Sequence, residues 1–348
     1  MKRLHPLFAL ILGVFLALLA VEGVLRLFGL YEHVNLVYDA SNGLIRYPPG
    51  TEYHSQASCY DVRAHINNLG LYGPDITSAK PQGTTRIIIV GSSFVEGIQV
   101  PLTERFDTKL EGLLSAQYPH KTFEVVALGF PANGTYLNML YYKYYMKALA
   151  PDVVIDLMSD FDLGKDAAET VSPPRFDQSG HAILSLPQAK QNQTVIFFKG
   201  AARESRVFEA LYEKYLMLRV AVHTALHPQD LTTQSDDRTN FAATWEIEGK
   251  LMRDFKSLVE SDGYARFALA SWTTAGHEDR DFVGAELRPI TAATRIPYLD
   301  LTPYLDSQEE KTRRSAILSC GGHWNAEGHT WVAEDLARFL TSSGLIRP

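Results

Sequence analysis

The chain of 348 residues carries 33 lysines and arginines against 40 aspartates and glutamates, a formal net charge of −7. This acidic balance, without any block of basic residues, argues against a nucleic-acid partner. An apolar fraction of 46% is typical of a globular protein with a sizeable core. Its two cysteines, Cys59 and Cys320, stand in no Cys-x-x-Cys or Cys/His cluster, so the sequence predicts no metal site and no cofactor.

The N-terminus has the pattern of a membrane segment. A basic start at residues 1–6 is followed by unbroken apolar sequence from residue 7 to 21, and apolar character resumes to about residue 30. Glu22 and Arg26 interrupt it at a spacing that allows them to pair on one helix face. We predict an uncleaved transmembrane helix over residues 7–30, within an N-terminal region of residues 1–31. The alternative is a cleaved signal peptide, although a cleavage site of the Ala-x-Ala type is missing.

Lys2 and Arg3 would stay on the cytoplasmic side of such a helix, so the rest of the chain is expected to face outward. That compartment is oxidising, and the two cysteines could pair there. Cys320 lies three residues before His323, so a Cys59–Cys320 disulfide would tie the loop that carries this histidine to the N-terminal part of the chain. The alternative is two unrelated buried thiols.

The order of elements predicts an α/β fold. Turn signals in residues 32–85 indicate an extended lead-in with one or two short strands. From residue 86 onward, apolar strands at 86–90, 123–128 and 151–158 alternate with helices at 103–117 and 135–150. This alternation is typical of a parallel, doubly wound sheet.

The alternation stops over residues 163–245, which we interpret as an insertion. Within it the sequence predicts a hairpin over 175–186, a long helix over 204–226 and a polar linker over 232–240. The insertion could shape a substrate site or be decorative. The core is expected to resume with a helix at 245–261, strands at 265–270 and 296–301, a solvated loop at 306–314 and a last helix at 326–340.

One strand-to-turn transition is the strongest candidate for chemistry. The buried strand at 86–90 ends at Gly91, and two serines follow before Gly97. A serine at this position lies at the carboxyl edge of a parallel sheet, where open α/β folds bind ligands, so Ser93 is the candidate nucleophile. An ordinary strand–helix corner is the alternative, and the glycine spacing fits neither phosphate-binding motif. Near the C-terminus, His323 stands in a glycine-rich loop just before the last helix.

The motifs Gly-Ser-Ser-Phe-Val-Glu-Gly at 91–97 and Gly-His-Trp-Asn-Ala-Glu-Gly-His at 322–329 together resemble those of the SGNH (GDSL) hydrolases, and the lead-in and apolar N-terminus resemble the bacterial membrane-anchored members. The resemblance extends over residues 86–348. It implies a three-layer α/β/α, flavodoxin-like parallel sheet, with Ser93 as nucleophile and His323 as base. It also implies an oxyanion site, for which Gly129, Asn133, Gly134 and Ser159 are the candidates.

The chain departs from the family pattern in three places. Ser92 stands where the family has its first aspartate, and Ser159 (or Phe161 in the alternative register) stands where it has an asparagine. The triad aspartate is expected two or three residues before His323, where this chain has Gly321 and Cys320. Either Asp160 or Asp162 could approach the site, but the sequence cannot place them. His329 is interpreted as a packing residue of the last helix.

The resemblance implies an extracytoplasmic serine esterase that acts on ester bonds, such as the O-acetyl groups of glycans. Its partners would be an acylated small molecule or polysaccharide and the membrane. Two alternatives stay open on the sequence: a degenerate domain that binds a glycan or a partner without turnover, and an O-acyltransferase that passes the acyl group to an alcohol rather than to water.

Overall fold

The structure, a computed structural model, describes residues 4–28, 36–39, 41–42, 44–131, 133–163, 174–184, 205–208, 210–211, 214, 238–274, 277–320 and 322–346. Most of the helix predicted over 204–226, and residues 232–237 of the predicted linker, lie outside the described residues.

Contacts divide the chain into two compact units. The smaller unit joins Met1–Leu36 with Ala189–Arg238, and the larger joins Val37–Gln188 with Thr239–Pro348. The larger unit therefore includes the lead-in from residue 37 together with residues 86–188. The smaller unit takes its second segment from the middle of the predicted insertion.

The first element of the smaller unit is a long apolar helix, α1 (Leu4–Leu27). Its stretch Phe8–Leu27 has a mean hydropathy of 2.6, and none of it is buried against the rest of the chain. The helix is long and apolar enough to cross a bilayer, a property that signal sequences share.

The structure describes the following strands and helices after α1. In chain order they are β1 (Val37–Tyr38), β2 (Ile45–Arg46), β3 (Glu52–Ala57), β4 (Tyr60–His65), β5 (Thr84–Gly91), α2 (Ser93–Glu96), α3 (Phe106–Gln117), β6 (Thr122–Gly129), α4 (Thr135–Tyr141), β7 (Val153–Ser159), β8 (Arg175–Phe176), β9 (Ala182–Ile183), α5 (Arg238–Glu260), β10 (Arg266–Trp272), α6 (Phe282–Thr294), β11 (Tyr298–Asp300), α7 (Thr302–Thr312) and α8 (Ala326–Ser342).

The centre of the larger unit is a five-stranded sheet in the order β11-β10-β7-β5-β6, with every neighbouring pair parallel. Numbered along the chain, this is the order 2-1-3-4-5 of flavodoxin-like doubly wound folds. The order reverses between β5 and β7, and the carboxyl ends of these two strands flank the crevice where such folds bind ligands. The predicted α/β class with a parallel, flavodoxin-like sheet is confirmed.

Apolar side chains cover both faces of this sheet. Successive residues of a strand point to opposite faces, so consecutive apolar residues supply both. Ile87 and Ile89 of β5 share a core with α3 and α8 on one face. Ile88 and Val90 are equally buried and point to the other face. The strands therefore need apolar residues at nearly every position, as a sheet covered on both sides does.

The lead-in forms two antiparallel hairpins, β1–β2 and β3–β4. Asn67 holds the turn that follows them, because its Oδ1 accepts from the N–H groups of Leu69 and Leu71. This turn ends against the start of α3, where the Arg105 guanidinium lies 4.7 Å from the centre of the Tyr72 ring. The hairpins thus pack on the sheet domain rather than forming a domain of their own.

Several predicted boundaries change. The helix predicted over 135–150 is α-helical only over α4 and continues as a π-helical segment, Tyr142–Met146, and a 3₁₀ turn, Lys147–Leu149. Helix α5 begins at Arg238, inside the predicted linker. The region 306–314 was predicted to be a solvated loop, which is wrong for most of its length, because α7 runs through it to Thr312.

Candidate active site

The turn after β5 holds Ser93 at the crevice. Ser92 is the N-cap residue of α2, and its carbonyl accepts from the N–H groups of Val95 and Glu96. Gly97 ends this single helical turn in the left-handed conformation, with φ of 58°. Ser93 is the first helical residue and is half-buried, so its hydroxyl is accessible from the crevice.

Two glycines let this turn lie close to the neighbouring strands. A Cβ on Gly91 would meet the Leu157 carbonyl oxygen at 2.5 Å, and a Cβ on Gly129 would meet the Glu96 nitrogen at 2.1 Å. Real Cβ atoms do not approach backbone atoms so closely, so any other residue would push the turn outward. Gly129, a candidate oxyanion residue, therefore has a packing function at the end of β6.

His323 lies next to Ser93, although 230 residues separate them in the sequence. The His323 Nε2 and Ser93 Oγ atoms are 2.9 Å apart, which is hydrogen-bonding distance. Both side chains are half-buried. The structure thus brings together the two residues predicted as base and nucleophile.

The His323 imidazole is held by the backbone of its own loop, before α8, and by an aromatic ring of α2. Ile317 and Trp324 form an antiparallel bridge across the loop, and the Leu318 N–H donates to the His323 carbonyl at 2.8 Å. The His323 ring packs on Phe94 with 5.1 Å between ring centres. Phe94 in turn contacts Trp272 and Trp324, at 4.7 and 5.1 Å. Aromatic packing of this kind restricts the tilt of the imidazole.

A disulfide joins Cys59 to Cys320, as hypothesised from the sequence. Cys59 lies in the turn between β3 and β4, and Cys320 lies in the loop that carries His323. The bond therefore fixes the loop three residues before the histidine to a hairpin of the lead-in.

We expect the double variant Cys59→Ser/Cys320→Ser to lose both stability and activity. Loss of a native disulfide costs roughly 2–5 kcal/mol of unfolding free energy. A shift of about 1 Å in the imidazole can lower kcat by about 10²-fold. Thermal melts and ester kinetics on the same preparation measure both effects. A lower melting temperature with unchanged kcat would show that the bond stabilises the fold without positioning His323.

A buried aspartate, Asp162, connects the Ser93 turn to the end of β7. Its Oδ2 accepts from the Ser92 hydroxyl at 3.1 Å, the Ser159 hydroxyl at 2.9 Å and the Ser159 N–H at 2.8 Å. Asp162 and both serines are buried. Ser159 was predicted as an oxyanion donor, but in the structure its hydroxyl and N–H both point to Asp162.

Asp162 was named from the sequence as an aspartate that could approach the site, but its bonding to Ser92 and Ser159 was not predicted. The signal for this bonding was indirect: serines stand at 92 and 159, where the hydrolases that the motifs resemble have an acidic and an amide residue. Two buried hydroxyl groups need an acceptor, and a nearby aspartate with three hydrogen bonds supplies it.

The other predicted oxyanion residues lie between β6 and α4. Gly134 is the N-cap residue of α4, in extended conformation. The Asn133 side chain is buried and donates from Nδ2 to Asn138 Oδ1 at 3.2 Å. Asn138 in turn donates to Asp156 Oδ1 at 2.8 Å, so the Asn133 amide is the outer end of a chain of hydrogen bonds into the sheet.

Asp160, the second aspartate considered from the sequence, binds elsewhere. Its carboxylate accepts from the Thr274 N–H at 2.8 Å and from the Thr274 hydroxyl at 2.7 Å. It therefore ties the end of β7 to the segment after β10. Among the residues that the structure describes, no group of three His, Cys, Asp or Glu could hold a metal ion.

A buried polar network lies beneath α2. The Tyr47 hydroxyl of the lead-in donates to Glu96 Oε1, and the Arg105 guanidinium donates to the Glu96 carbonyl at 3.1 Å. Asp107 binds the same guanidinium with both oxygens. Burial raises the pKa of the Glu96 carboxyl to about 7, although the Tyr47 hydroxyl and the Arg105 charge act in the opposite direction.

His329 lies beside this network and is a packing residue, as interpreted from the sequence. Its ring stacks on Phe106, with 5.8 Å between ring centres, and its Nδ1 accepts from the Phe106 N–H at 3.3 Å. Burial lowers the pKa of His329 to about 3, so the imidazole is neutral at ordinary pH.

We expect Glu96 to make stability depend on pH. Its pKa rises from 4.5 in the unfolded chain to about 7 in the fold. The folded state therefore holds the proton more tightly, and this contribution is complete below pH 4.5 and lost as pH rises through 7. The loss amounts to roughly 3 kcal/mol at 1.4 kcal/mol per pKa unit. His329 acts in the opposite direction, since its contribution is complete above pH 6.5 and lost as pH falls towards 3.

Glu96→Gln separates the two groups, because glutamine can accept the Tyr47 hydrogen bond but does not titrate. We expect the difference in unfolding free energy, wild type minus variant, to decrease as pH is raised from 4.5 to 8. The His329 contribution is the same in both proteins and cancels in this difference. A difference that stays constant over this pH range would contradict the prediction that Glu96 titrates near pH 7 in the fold.

Similarity to known proteins is found at the level of solved structures. No family model and no curated protein matches the chain. Among solved structures it is similar to a protein ascribed to the G-D-S-L lipolytic family from Desulfitobacterium hafniense DCB-2, with 14% identity, 74% of this chain and 99% of that chain covered, and a TM-score of 0.42. An acetyl xylan esterase variant from Geobacillus stearothermophilus matches with 13% identity, 76% and 97% coverage and a TM-score of 0.41.

A third similar structure is a two-domain esterase active on acetylated mannans, with 12% identity, 75% and 50% coverage and a TM-score of 0.41. The assignment of the fold rests on the strand order and register of this chain's own sheet.

Proposed function

We propose that this chain is a serine esterase in which Ser93 is the nucleophile and His323 the base. The observation that carries the proposal is the 2.9 Å distance between Ser93 Oγ and His323 Nε2, at the edge of the sheet where its strand order reverses. A strand–turn–helix that exposes a serine, with a histidine within hydrogen-bonding reach, is the geometry that nucleophilic catalysis needs.

In the proposed mechanism, Ser93 Oγ attacks the ester carbonyl carbon while its proton passes to His323 Nε2. The negative charge on the former carbonyl oxygen needs donors. The Ser93 N–H is one candidate, because the first residue of a helix has no acceptor within that helix. Gly134, at the start of α4, is the candidate for a second donor. The imidazolium then returns the proton to the leaving alcohol, and the acyl group stays on Ser93.

The acyl-serine is resolved by the same steps in reverse. His323 takes a proton from water, the resulting hydroxide attacks the acyl carbon, and Ser93 leaves with the proton that His323 returns. A sugar hydroxyl in place of water would give an acyltransferase. The acceptor thus decides between the two activities, while the nucleophile and base are common to both.

We place this activity outside the cytoplasm. The support is the apolar helix Phe8–Leu27, the basic residues Lys2 and Arg3 before it, and the disulfide near the site. An outward-facing esterase held at a bacterial membrane would meet O-acetylated polysaccharides, so we propose acyl esters of glycans as the substrate class.

A fluorophosphonate probe tests the proposal, since it forms a covalent adduct only with an activated serine. The full-length protein in detergent should be labelled, and mass mapping should place the adduct on Ser93. The same preparation should release acetate from a chromogenic acetyl ester and from an O-acetylated oligosaccharide. If folded protein is neither labelled nor active, the esterase proposal fails, and the domain is to be treated as a binding module.

A further inference from the structure

The anchor helix α1 carries one carboxylate, Glu22, within its apolar stretch. Other residues of the chain donate hydrogen bonds to this carboxylate. Glu22 lies five residues before the end of Phe8–Leu27, about 8 Å along a helix with a rise of 1.5 Å per residue. An ionised carboxylate at this depth of a bilayer is costly unless it has partners. One partner is Arg26 on the next turn, whose Nε lies 2.7 Å from Glu22 Oε1.

The remaining partners come from residues 205–207, in the second segment of the same compact unit. Glu22 accepts from the Ser205 hydroxyl at 3.1 Å, from the Arg206 N–H at 3.2 Å and from the Val207 N–H at 3.0 Å. The Arg206 guanidinium also donates to the Leu25 carbonyl at 3.2 Å. The start of a helical segment is therefore held against the outer end of the anchor.

Two large apolar side chains of this helical segment are more than half exposed in the part of the chain that the structure describes. Phe208 is 51% exposed and Leu211 is 63% exposed. Residues three apart in a helix lie on the same face, so the two side chains form one apolar surface. Because Glu22 lies inside the apolar stretch of α1, any group that binds it must reach the same level of the membrane.

We propose that the segment beginning at Ser205 is a second membrane-contacting element, which docks on Glu22 of the anchor and inserts Phe208 and Leu211 at the boundary between lipid headgroups and acyl chains. The proposal rests on the membrane anchor proposed above but not on the esterase activity. Interfacial helices bury their apolar face to about 5–10 Å in this boundary. Residues 205–208 and 210–211 then serve to hold the protein at the bilayer, in addition to the anchor.

Fluorescence quenching in membranes tests this. Phe208→Cys and Leu211→Cys in the full-length chain are each labelled with an environment-sensitive fluorophore, without reductant, so that Cys59 and Cys320 stay paired and unreactive. The proteins are reconstituted in phosphatidylethanolamine–phosphatidylglycerol vesicles that contain lipids with a nitroxide on the acyl chain. Leu27→Cys reports on the anchor, and Tyr264→Cys is the reference for an exposed aromatic position in the other unit.

We expect quenching at 208 and 211 to be several-fold stronger than at 264. Adding Glu22→Ala should lower it at 208 and 211 and leave it unchanged at 27. Quenching at 208 and 211 no stronger than at 264, with strong quenching at 27, would overturn the proposal and leave the anchor in place. Weak quenching at 27 would overturn the anchor and the proposal together. Quenching at 208 that Glu22→Ala does not change would overturn docking on Glu22. Fluorophosphonate labelling of Ser93 tests the esterase separately.

Discussion

Ser93→Ala and His323→Ala are each expected to lower kcat for an acetyl ester by about 10⁴–10⁶-fold, because nucleophile and base act as one unit. The double variant should be no slower than either single variant, since removing one partner already disables the other. Steady-state kinetics on the three variants and wild type measure this. KM should change little, since the interactions that Ser93 and His323 supply are made only in the transition state.

Two controls separate chemistry from folding. Ser92→Ala removes the hydroxyl that binds Asp162 but keeps Ser93, so we expect it to be labelled by a fluorophosphonate more slowly than wild type but still on Ser93. The rise of kcat/KM with pH that reflects ionisation of the base should be absent in His323→Ala. Losses that multiply in the double variant would mean that Ser93 and His323 act independently, and the proposed pair would have to be abandoned.

Asp162→Asn is expected to lower kcat by about 10²-fold, a loss comparable to that of one oxyanion donor. Asp162 Oδ2 holds Ser92, whose neighbour Ser93 supplies both the nucleophile and a backbone N–H. An asparagine at 162 carries no charge, so its oxygen accepts the three hydrogen bonds that converge on Asp162 Oδ2 more weakly than the carboxylate does. The turn is then free to shift relative to β7, and transition-state contacts weaken more than substrate binding does.

Asp160→Asn is the matched control for this variant. Asp160 lies two residues away and also accepts a backbone N–H and a hydroxyl, but both come from Thr274 rather than from the Ser93 turn. We expect similar losses of melting temperature in the two variants and near wild-type kcat for Asp160→Asn. Equal losses of kcat in both would assign Asp162 a structural role only.

The sheet was predictable because its signal is local. Each strand is a short apolar run, and β5 and β7 are buried at almost every position, so their number and order along the chain could be predicted. Helix α7 was not predictable in this way. Only Thr302 and Leu305 among its residues are buried, so no apolar repeat distinguishes it from a charged loop. Leu305 lies in the core and Tyr304 packs against it, and only the fold reveals these contacts.

In the candidate site too, residues in local motifs could be predicted and contacts between distant segments could not. Ser93 and His323 each stand in a motif with characteristic neighbours, so the sequence indicated both. The contacts of Asp162 and Glu96 join segments that are far apart in the chain, such as Tyr47 with Glu96 and Ser92 with Asp162. Polar contacts of this kind have no periodicity in the sequence, and the residues that form them are common on surfaces. These contacts can therefore be identified only from the fold.

The disulfide at the histidine loop also sets an order of events during maturation. Cys59 belongs to a hairpin near the beginning of the domain, and Cys320 to a loop near the end of the chain, so the bond can form only after nearly the whole polypeptide has been made. In the reducing cytoplasm both thiols would stay apart. On the proposed extracytoplasmic placement, the histidine loop is fixed only after export, and we expect a precursor still in the cytoplasm to be less active on the esters there.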